Sequence, residues 1–369
     1  MLANLKSQNP KIKNFKIIHL TFKFLFMKKY SIICLALGIC SIAYAQPSKE
    51  PYMVKQLDAE SIQQVKAETT GGNITVAGVD NAARIEVYVW PGNSRDRDIS
   101  KEELKKRLEE DYDLTITAEN HNLTAIAKPK HNFHNWNRGL SISFKVFVPH
   151  NVSTRLTTSG GNISLTALTG TQDFTTSGGN LDVDHLSGHI KGRTSGGNVS
   201  LSDLRDDIDL STSGGNIEAK KSHGNITLTT SGGELHLAAL QGTIKATTSG
   251  GNVHADDIEG ELSAHTSGGN VGMTNLSCSL ETSTSGGNIN VSIKTLGKYV
   301  KISNSGGNIG LQIPSGKGVD LKLSADKVDA SGLVGFKGDV KKDRVEGTLN
   351  GGGIPVTVHG GNTINFTQK

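Results

Sequence analysis

Ser-Gly-Gly recurs through the middle of this chain with its serine at Ser159, Ser177, Ser195, Ser213, Ser231, Ser249, Ser267 and Ser285, a strict period of 18 residues. A further copy begins at Ser305, after a two-residue insertion. A fixed period over so many copies marks a repeat architecture, in which each unit buries its apolar face only by stacking on its neighbours. The residue after the glycines is Asn162, Asn180, Asn198, Asn216, Asn252, Asn270, Asn288 and Asn308, interrupted once by Glu234. An aliphatic residue comes next, so the unit reads T-S-G-G-N-φ, with φ Ile, Leu or Val.

Apolar positions alternate within each unit: Ile163 and Leu165, Leu181 and Val183, Val199 and Leu201, Leu235 and Leu237. A third apolar residue follows at Leu168, Leu186, Leu204, Leu240 and Leu276. Period two is the strand pattern. The second half of the unit has its own turn and strand, as at Gly188 then Ile190, Gly224 then Ile226 and Leu228, and Gly260 then Leu262. Each unit is therefore two short strands and two turns. It is too short for a four-stranded propeller blade and contains no helical stretch.

The pattern predicts an all-β fold: a parallel β-helix, or solenoid, of 18-residue coils, with an N-terminal mainly β capping region containing one short helix. Coils spaced ~4.8 Å apart make a rod of roughly 40 Å. Right-handed winding is expected because parallel strand connections overwhelmingly have that hand. Stacking places like residues above like, so the aliphatic positions form the core and the asparagines form a ladder of side-chain amides hydrogen-bonded along the rod. Gly-Gly suits a corner where positive φ or close backbone approach excludes a Cβ. The Thr and Ser hydroxyls can satisfy turn backbone. This accounts for 44 glycines and only 5% aromatics, which do not suit an ordinary globular enzyme.

The segment from Met27 reads as a secretory signal: Lys28 and Lys29, an apolar run from Ile32 to Ile42, and Ala43-Tyr44-Ala45 before cleavage at Gln46. The run is too short to cross a bilayer, and Ile39 before Cys40 disfavours a lipoprotein. The expected organisation is a mis-annotated extension or long leader over 1–26 and a signal peptide over 27–45. A capping region over 46–152, regular repeats over 153–310 and irregular C-terminal coils over 311–369 follow. With the seven lysines of residues 1–45 removed, 32 basic side chains face 35 acidic ones, a net of −3. Nothing then points to nucleic acid. Cys34 and Cys40 leave with the signal, so Cys278 alone remains and no internal disulfide forms.

Solenoid ends expose unpaired backbone and need caps. Before the repeats come one isolated repeat-like turn (Thr70 to Ile74) and a strand at Ile85 to Trp90. A helix is opened by Ser100 and Glu103 in capping-box spacing and runs to Asp111. Strands are expected around Leu114 to Ala118, Leu123 to Ala127 and Ile142 to Val148, and a last one at Thr363 to Thr367. The strand ending in Val148-Pro149, the serial S-G-G-N-I turns and the closing Leu349-Asn350-Gly351-Gly352-Gly353 resemble the bacterial putative-adhesin family of secreted β-solenoid proteins, largely a domain of unknown function. The resemblance covers roughly residues 60–369. It implies a β-helix at the cell envelope and transfers no catalytic residue.

Candidate chemistry is sparse. Calcium-binding glycine-rich rolls carry aspartate in their turns, whereas neutral Asn stands here, so the turns are read as structural. Asp203, Arg205, Asp206, Asp207 and Asp209, with Asp182 and Asp184 one coil earlier, form the densest acidic group; Asp256, Asp257 and Glu259 form a second. A glycan-cleaving enzyme would need such carboxylates to converge in a cleft. On predicted turns they are read as a solvated face. The loop His131-Asn132-Phe133-His134-Asn135-Trp136-Asn137-Arg138 is the most unusual local sequence. It reads first as a hairpin that caps the solenoid, and next as a ligand contact through His131, Phe133, His134, Trp136 and Arg138. His-x-x-His metal ligation is the weakest of the three readings. His236 and His254 fall one residue after the core position and read as surface residues. Cys278 takes a position usually held by the glycine of the second turn and reads as a small buried residue.

No catalytic, cofactor or metal residue is assigned. The expected function is a non-enzymatic, exported, adhesin-like scaffold in the periplasm, on the outer-membrane surface or outside the cell, binding a surface polysaccharide or an envelope protein. No transmembrane segment is expected in the mature chain. The alternatives are a β-helix polysaccharide lyase or hydrolase, and an envelope stress-response or signalling component.

Overall fold

The computed structural model describes residues 50–58, 62–92, 99–130 and 138–369; segments 1–26 and 27–45 and the cleavage position lie outside this set. Within it, one helix accompanies 27 strands. The alternation of the sequence becomes alternation of burial. The first aliphatic residue of each coil, from Ile163 through Val199, Leu235 and Val271 to Ile309, is at most 1% exposed. Each such side chain contributes about 1.5–3 kcal/mol on leaving water. One column varies in size: Phe174 lies under Gly192, where an added Cβ would meet the Phe174 ring at 2.2 Å and Leu210 Cδ2 at 2.7 Å. The glycine makes room for the ring, so volume is conserved across neighbouring coils.

Three interactions hold the T-S-G-G-N corner. The buried threonine donates to the carbonyl of the second glycine one coil back and accepts from the N–H of its own second glycine. At Thr176 these bonds are 2.9 Å to Gly161 O and 3.3 Å from Gly179 N. At the last regular corner Asn304 replaces the threonine and makes both bonds with its amide. The backbone N–H of each asparagine donates to the Oδ1 of the asparagine one coil back, as in Asn180 N to Asn162 Oδ1 at 2.8 Å. The ladder thus runs from side chain to main chain, not from amide to amide. Finally, the second glycine lies against its predecessor: a Cβ on Gly179 would fall 1.9 Å from Gly161 O. Close approach selects glycine here, whereas at the second turn a left-handed backbone does, with φ of 110° at Gly188 and 125° at Gly224.

Chain order and spatial order part company at both ends. After the short β1 (Met53–Gln56), β2 (Gln64–Thr69) and β3 (Ile74–Gly78) make one coil. Then come β4 (Arg84–Pro91), helix α1 (Lys101–Asp111), β5 (Tyr112–Glu119), β6 (Asn122–Pro129) and β7 (Leu140–Val148). The last two make an outer coil, parallel to β2 and β3. β8 (Ser153–Thr158) and β9 (Ile163–Thr175) then pair on the other side of that first coil, which is sandwiched between later segments. The turn at Thr70 is therefore a full rung of the stack: Asn162 N donates to Asn73 Oδ1 at 2.8 Å. The ladder ends where Asn73 N donates to Ser143 Oγ at 2.9 Å. Helix α1 takes the N-cap its sequence predicts, Glu103 N donating to Ser100 Oγ, while the Glu103 carboxylate accepts from Arg107 Nε at 2.8 Å.

From β10 (Leu181–Arg193) the stack is regular. Its strands are β11 (Val199–Ser202), β12 (Arg205–Ser211), β13 (Ile217–Lys220), β14 (His223–Thr229), β15 (Leu235–Ala238), β16 (Gln241–Thr247), β17 (Val253–Asp256), β18 (Glu259–His265), β19 (Val271–Thr284) and β20 (Ile289–Asn304). β21 (Ile309–Ile313), β22 (Val319–Ser324), β23 (Lys327–Asp329), β24 (Phe336–Val340), β25 (Arg344–Leu349), β26 (Ile354–Gly360) and β27 (Thr363–Gln368) complete it. β26 lies between β20 and β22, and β27 between β21 and β23, so the last coil is inserted one layer inside an earlier one. Antiparallel strands cover the outer layers: β4 on β7 and β5 on β6 at one end, β25 on β22 at the other. A parallel stack otherwise leaves open edges that invite further strands.

Candidate functional site

Outward positions on the short strands form columns, one residue per coil. On β13, β15, β17, β19, β20, β21 and β27 two adjacent columns line a groove of about 980 Å3. The first column reads Glu218, His236, His254, Gly272, Asn290, Gly310 and Asn365, each in register with the next. The second holds Lys220, Ala238, Asp256, Thr274, Ser292, Gln312 and Thr367. Six strand spacings give a length of about 29 Å. The hollow exists because Ala238, Gly272 and Gly310 carry little or no side chain where their neighbours carry long ones.

One wall is aromatic. The rings of His236 and His254 stack with centroids 5.0 Å apart and planes 13° from parallel. Gly272 follows His254 in the column and has no side chain to cover the far face of that ring. Glu234, the one interruption of the asparagine ladder, supports this wall. Its carboxylate contacts His236 Nε2 at 3.2 Å and accepts from Asn252 Nδ2 at 2.9 Å. The bond from Asn252, followed by that from His236, lowers the Glu234 pKa, so the carboxylate stays ionised. The other charges are locally engaged: Lys220 pairs with Glu218, and Thr274 and Asn275 donate to Asp256. Most of the surface facing the hollow is carbon, with imidazole, amide and hydroxyl groups set into it.

Of the acidic residues singled out in the sequence, Asp182 and Asp184 lie on β10 and Asp256 on β17 in the groove, while most of the others lie at or beside the second turn. Asp184 and Asp203 flank His185 at 2.7 and 3.2 Å, and Asp207 meets His189 at 2.7 Å. Asp206 Oδ2 accepts from Gly188 N at 3.0 Å, while Arg205 and Arg193 lie 3.8 and 4.0 Å from Asp203 and Asp209. Glu259 accepts from Gln241 Nε2. These contacts tie the carboxylates that make them to their own surroundings, and no group of three or more metal-binding side chains is found among the described residues. Of the loop at 131–138, His131, Phe133, His134 and Trp136 lie outside the described residues. Arg138 donates to Asp111 at 3.0 Å and Glu110 at 2.8 Å, fastening the end of α1. The hydrogen bond with Asp111 raises its pKa further.

Cys278 is 1% exposed, and burial pushes its thiol up to about 12. Because the thiolate is the nucleophile, the folded protein is expected to resist alkylation by iodoacetamide at pH 8 and to react fully in guanidinium. Labelling followed by intact-mass measurement checks this; rapid labelling of native protein would contradict the burial.

The class these observations define is a parallel β-solenoid with capped ends and a groove crossing its strands. Residues 201–360 match the family model described as Toastrack DUF4097, a domain of unknown function. Three solved structures are similar over most of their length. A putative cell adhesion protein from Clostridium sporogenes ATCC 15579 has 11% identity over 86% of this chain and 98% of that one, with a TM-score of 0.19. A putative adhesin from Bacteroides fragilis NCTC 9343 has 12% identity over 88% and 99%, with a TM-score of 0.23. A putative lipid binding protein from Parabacteroides distasonis ATCC 8503 has 12% identity over 86% and 97%, with a TM-score of 0.27. At these scores the likeness carries no functional weight. No curated protein matches the chain. No helix among the described residues is long and apolar enough to cross a membrane.

Proposed function

We propose that this protein is a non-enzymatic, envelope-associated, adhesin-like scaffold whose groove holds a linear neutral polysaccharide. The uncovered face of His254 above Gly272 carries the reading: a flat ring beside an empty rung suits the flat face of a sugar ring. Amides and hydroxyls on the following rungs (Asn290, Ser292, Gln312, Asn365 and Thr367) offer donors and acceptors every ~4.8 Å along the groove. A ligand that repeats its own hydroxyls along a line matches that spacing. An extended peptide matches it poorly. Peptides bind sheets chiefly through open edges, and each groove strand is already paired on both sides.

The test is binding of the purified protein to soluble linear glycans (a β-glucan, a mannan and a xylan) by affinity electrophoresis and calorimetry. At least one should bind, and His254→Ala should weaken it about threefold to tenfold by removing the stacking face. Gly272→Leu, which fills the empty rung, should abolish binding with the fold intact by circular dichroism. Absence of binding to all three glycans, or their depolymerisation, would overturn the proposal.

A further inference from the structure

A second concave site lies on the longer-strand face near the N-terminal end. Gln64 and Lys66 on β2, Asn122 on β6, Ser153 and Arg155 on β8, and Thr171 and Asp173 on β9 line a hollow of about 490 Å3. Lys66 and Arg155 are register partners on adjacent parallel strands, so their side chains rise from the same face about 4.8 Å apart. Like charges placed directly opposite across a strand pair are destabilising. Elsewhere opposed charges find a partner: Lys301 meets Glu281, its register partner, at 2.7 Å, Lys128 meets Glu68 at 2.9 Å, and where Asp339 faces Glu346 across β24 and β25, Lys322 lies 3.4 Å from Glu346. Asp173 is next in register to Arg155, yet it does not close on the guanidinium to ion-pair distance. Among the described residues, neither Lys66 nor Arg155 has an ion-pair partner, and both are exposed toward the hollow.

We infer that Lys66 and Arg155 form an oxyanion-binding site that takes the carboxylate of an acidic saccharide or a phosphate group. The guanidinium supplies a planar fork that fits two oxygens of either anion, and the ammonium adds a point charge beside it. Gln64 and Asn122 place amides at the rim, where hydroxyls flanking the anion would lie. Asp173, beside Arg155, offsets part of the repulsion between the paired cations, and an anion held between Lys66 and Arg155 would offset the rest. Residues that break a local rule in this way mark functional positions. This site is independent of the histidine groove and stands or falls separately from it.

The experiment titrates the full chain with glucuronate, inorganic phosphate and glucose, following amide chemical shifts at two salt concentrations. Saturable binding of glucuronate or phosphate is expected, localised to β2 and β8, weaker at higher salt, and absent for glucose. Preference for glucuronate assigns an acidic glycan as the source, and preference for phosphate assigns a phosphorylated headgroup. Lys66→Gln and Arg155→Gln should each weaken binding about tenfold or more, as expected for loss of a charge-assisted bond. Their thermal midpoints should be equal to or slightly above that of the unsubstituted protein, which separates lost recognition from lost folding. Arg155→Lys keeps the charge and loses the fork, so it should retain only part of the affinity. Failure of both anions to bind, or undiminished binding in the Lys66→Gln and Arg155→Gln variants, would overturn the assignment.

Discussion

Gly215→Ala is expected to destabilise the protein by about 3–5 kcal/mol, while Gly214→Ala, its immediate neighbour, should change stability by less than about 1 kcal/mol. The two glycines share a corner but meet different surroundings. A Cβ on Gly215 would lie 2.0 Å from Gly197 O and 2.5 Å from its carbonyl carbon; a Cβ on Gly214 would lie 3.6 Å from Ser195 O, an ordinary contact. The obstacle at Gly215 is main chain. Gly197 O is fixed by its bond from Thr212 Oγ1, and the strands on either side of the corner pair without a break. Relief would require parting two coils by more than an ångström and breaking rungs on both sheets. Neither glycine has positive φ, so Ala at 214 meets no backbone strain and restricts the unfolded chain slightly. Denaturant midpoints of the two variants measure the difference. Equal effects would show that coil spacing is not set at the second glycine.

The repeat was legible because its determinants are local and recur. Alternation placed Ile163, Leu165 and their equivalents inside, and the Ser100 and Glu103 pair placed the start of α1, with no long-range information needed. What the sequence did not disclose is which coil lies beside which. The turn at Thr70 to Asn73 carries the same corner chemistry as every other turn, so it fits any rung. Its place between β7 and β9 depends on pairings 70 to 90 residues apart. The same holds for β27, which reads as a closing strand and lies inside the stack. The corner glycines offered two explanations, positive φ and close approach, and only the folded structure distributes them between the two turns.

The groove was hidden differently. Its first column can be read by stepping 18 residues from Glu218 through His236, His254 and Gly272 to Asn290. Taken one at a time those residues look like ordinary surface, and the signal is the sequence of sizes down the column: two rings, then none. Gly310 completes the hollow only after the two-residue insertion shifts the count. The inward columns fix the spacing of the rod and tolerate little variation, so the outward columns are where recognition can differ from coil to coil. Glu234 is the one position of the asparagine column from Asn162 to Asn308 where the ladder bond is given up for contacts with the histidine wall. Asn252 N receives no side-chain oxygen from below, because the Glu234 carboxylate turns instead to His236 and Asn252 Nδ2.

The threonine column makes the inward constraint measurable through a substitution that preserves shape. Thr212 is 4% exposed; its hydroxyl donates to Gly197 O at 2.8 Å and accepts from Gly215 N at 3.2 Å. Thr212→Val keeps the volume and replaces the hydroxyl with a methyl that neither donates nor accepts. Two main-chain groups are then left facing an apolar wall that also excludes water. At about 1–3 kcal/mol for each stranded group, the expected loss is about 2–5 kcal/mol. Thr212→Ser keeps the hydroxyl and deletes a buried methyl, which costs about 1 kcal/mol. The predicted order of stability is therefore Thr, then Ser, then Val, whereas hydrophobicity and strand propensity alone would put Val first. Denaturant melts of the three proteins decide it. A valine variant as stable as the serine variant would mean that the corner is held by glycine packing and strand pairing without help from the hydroxyl.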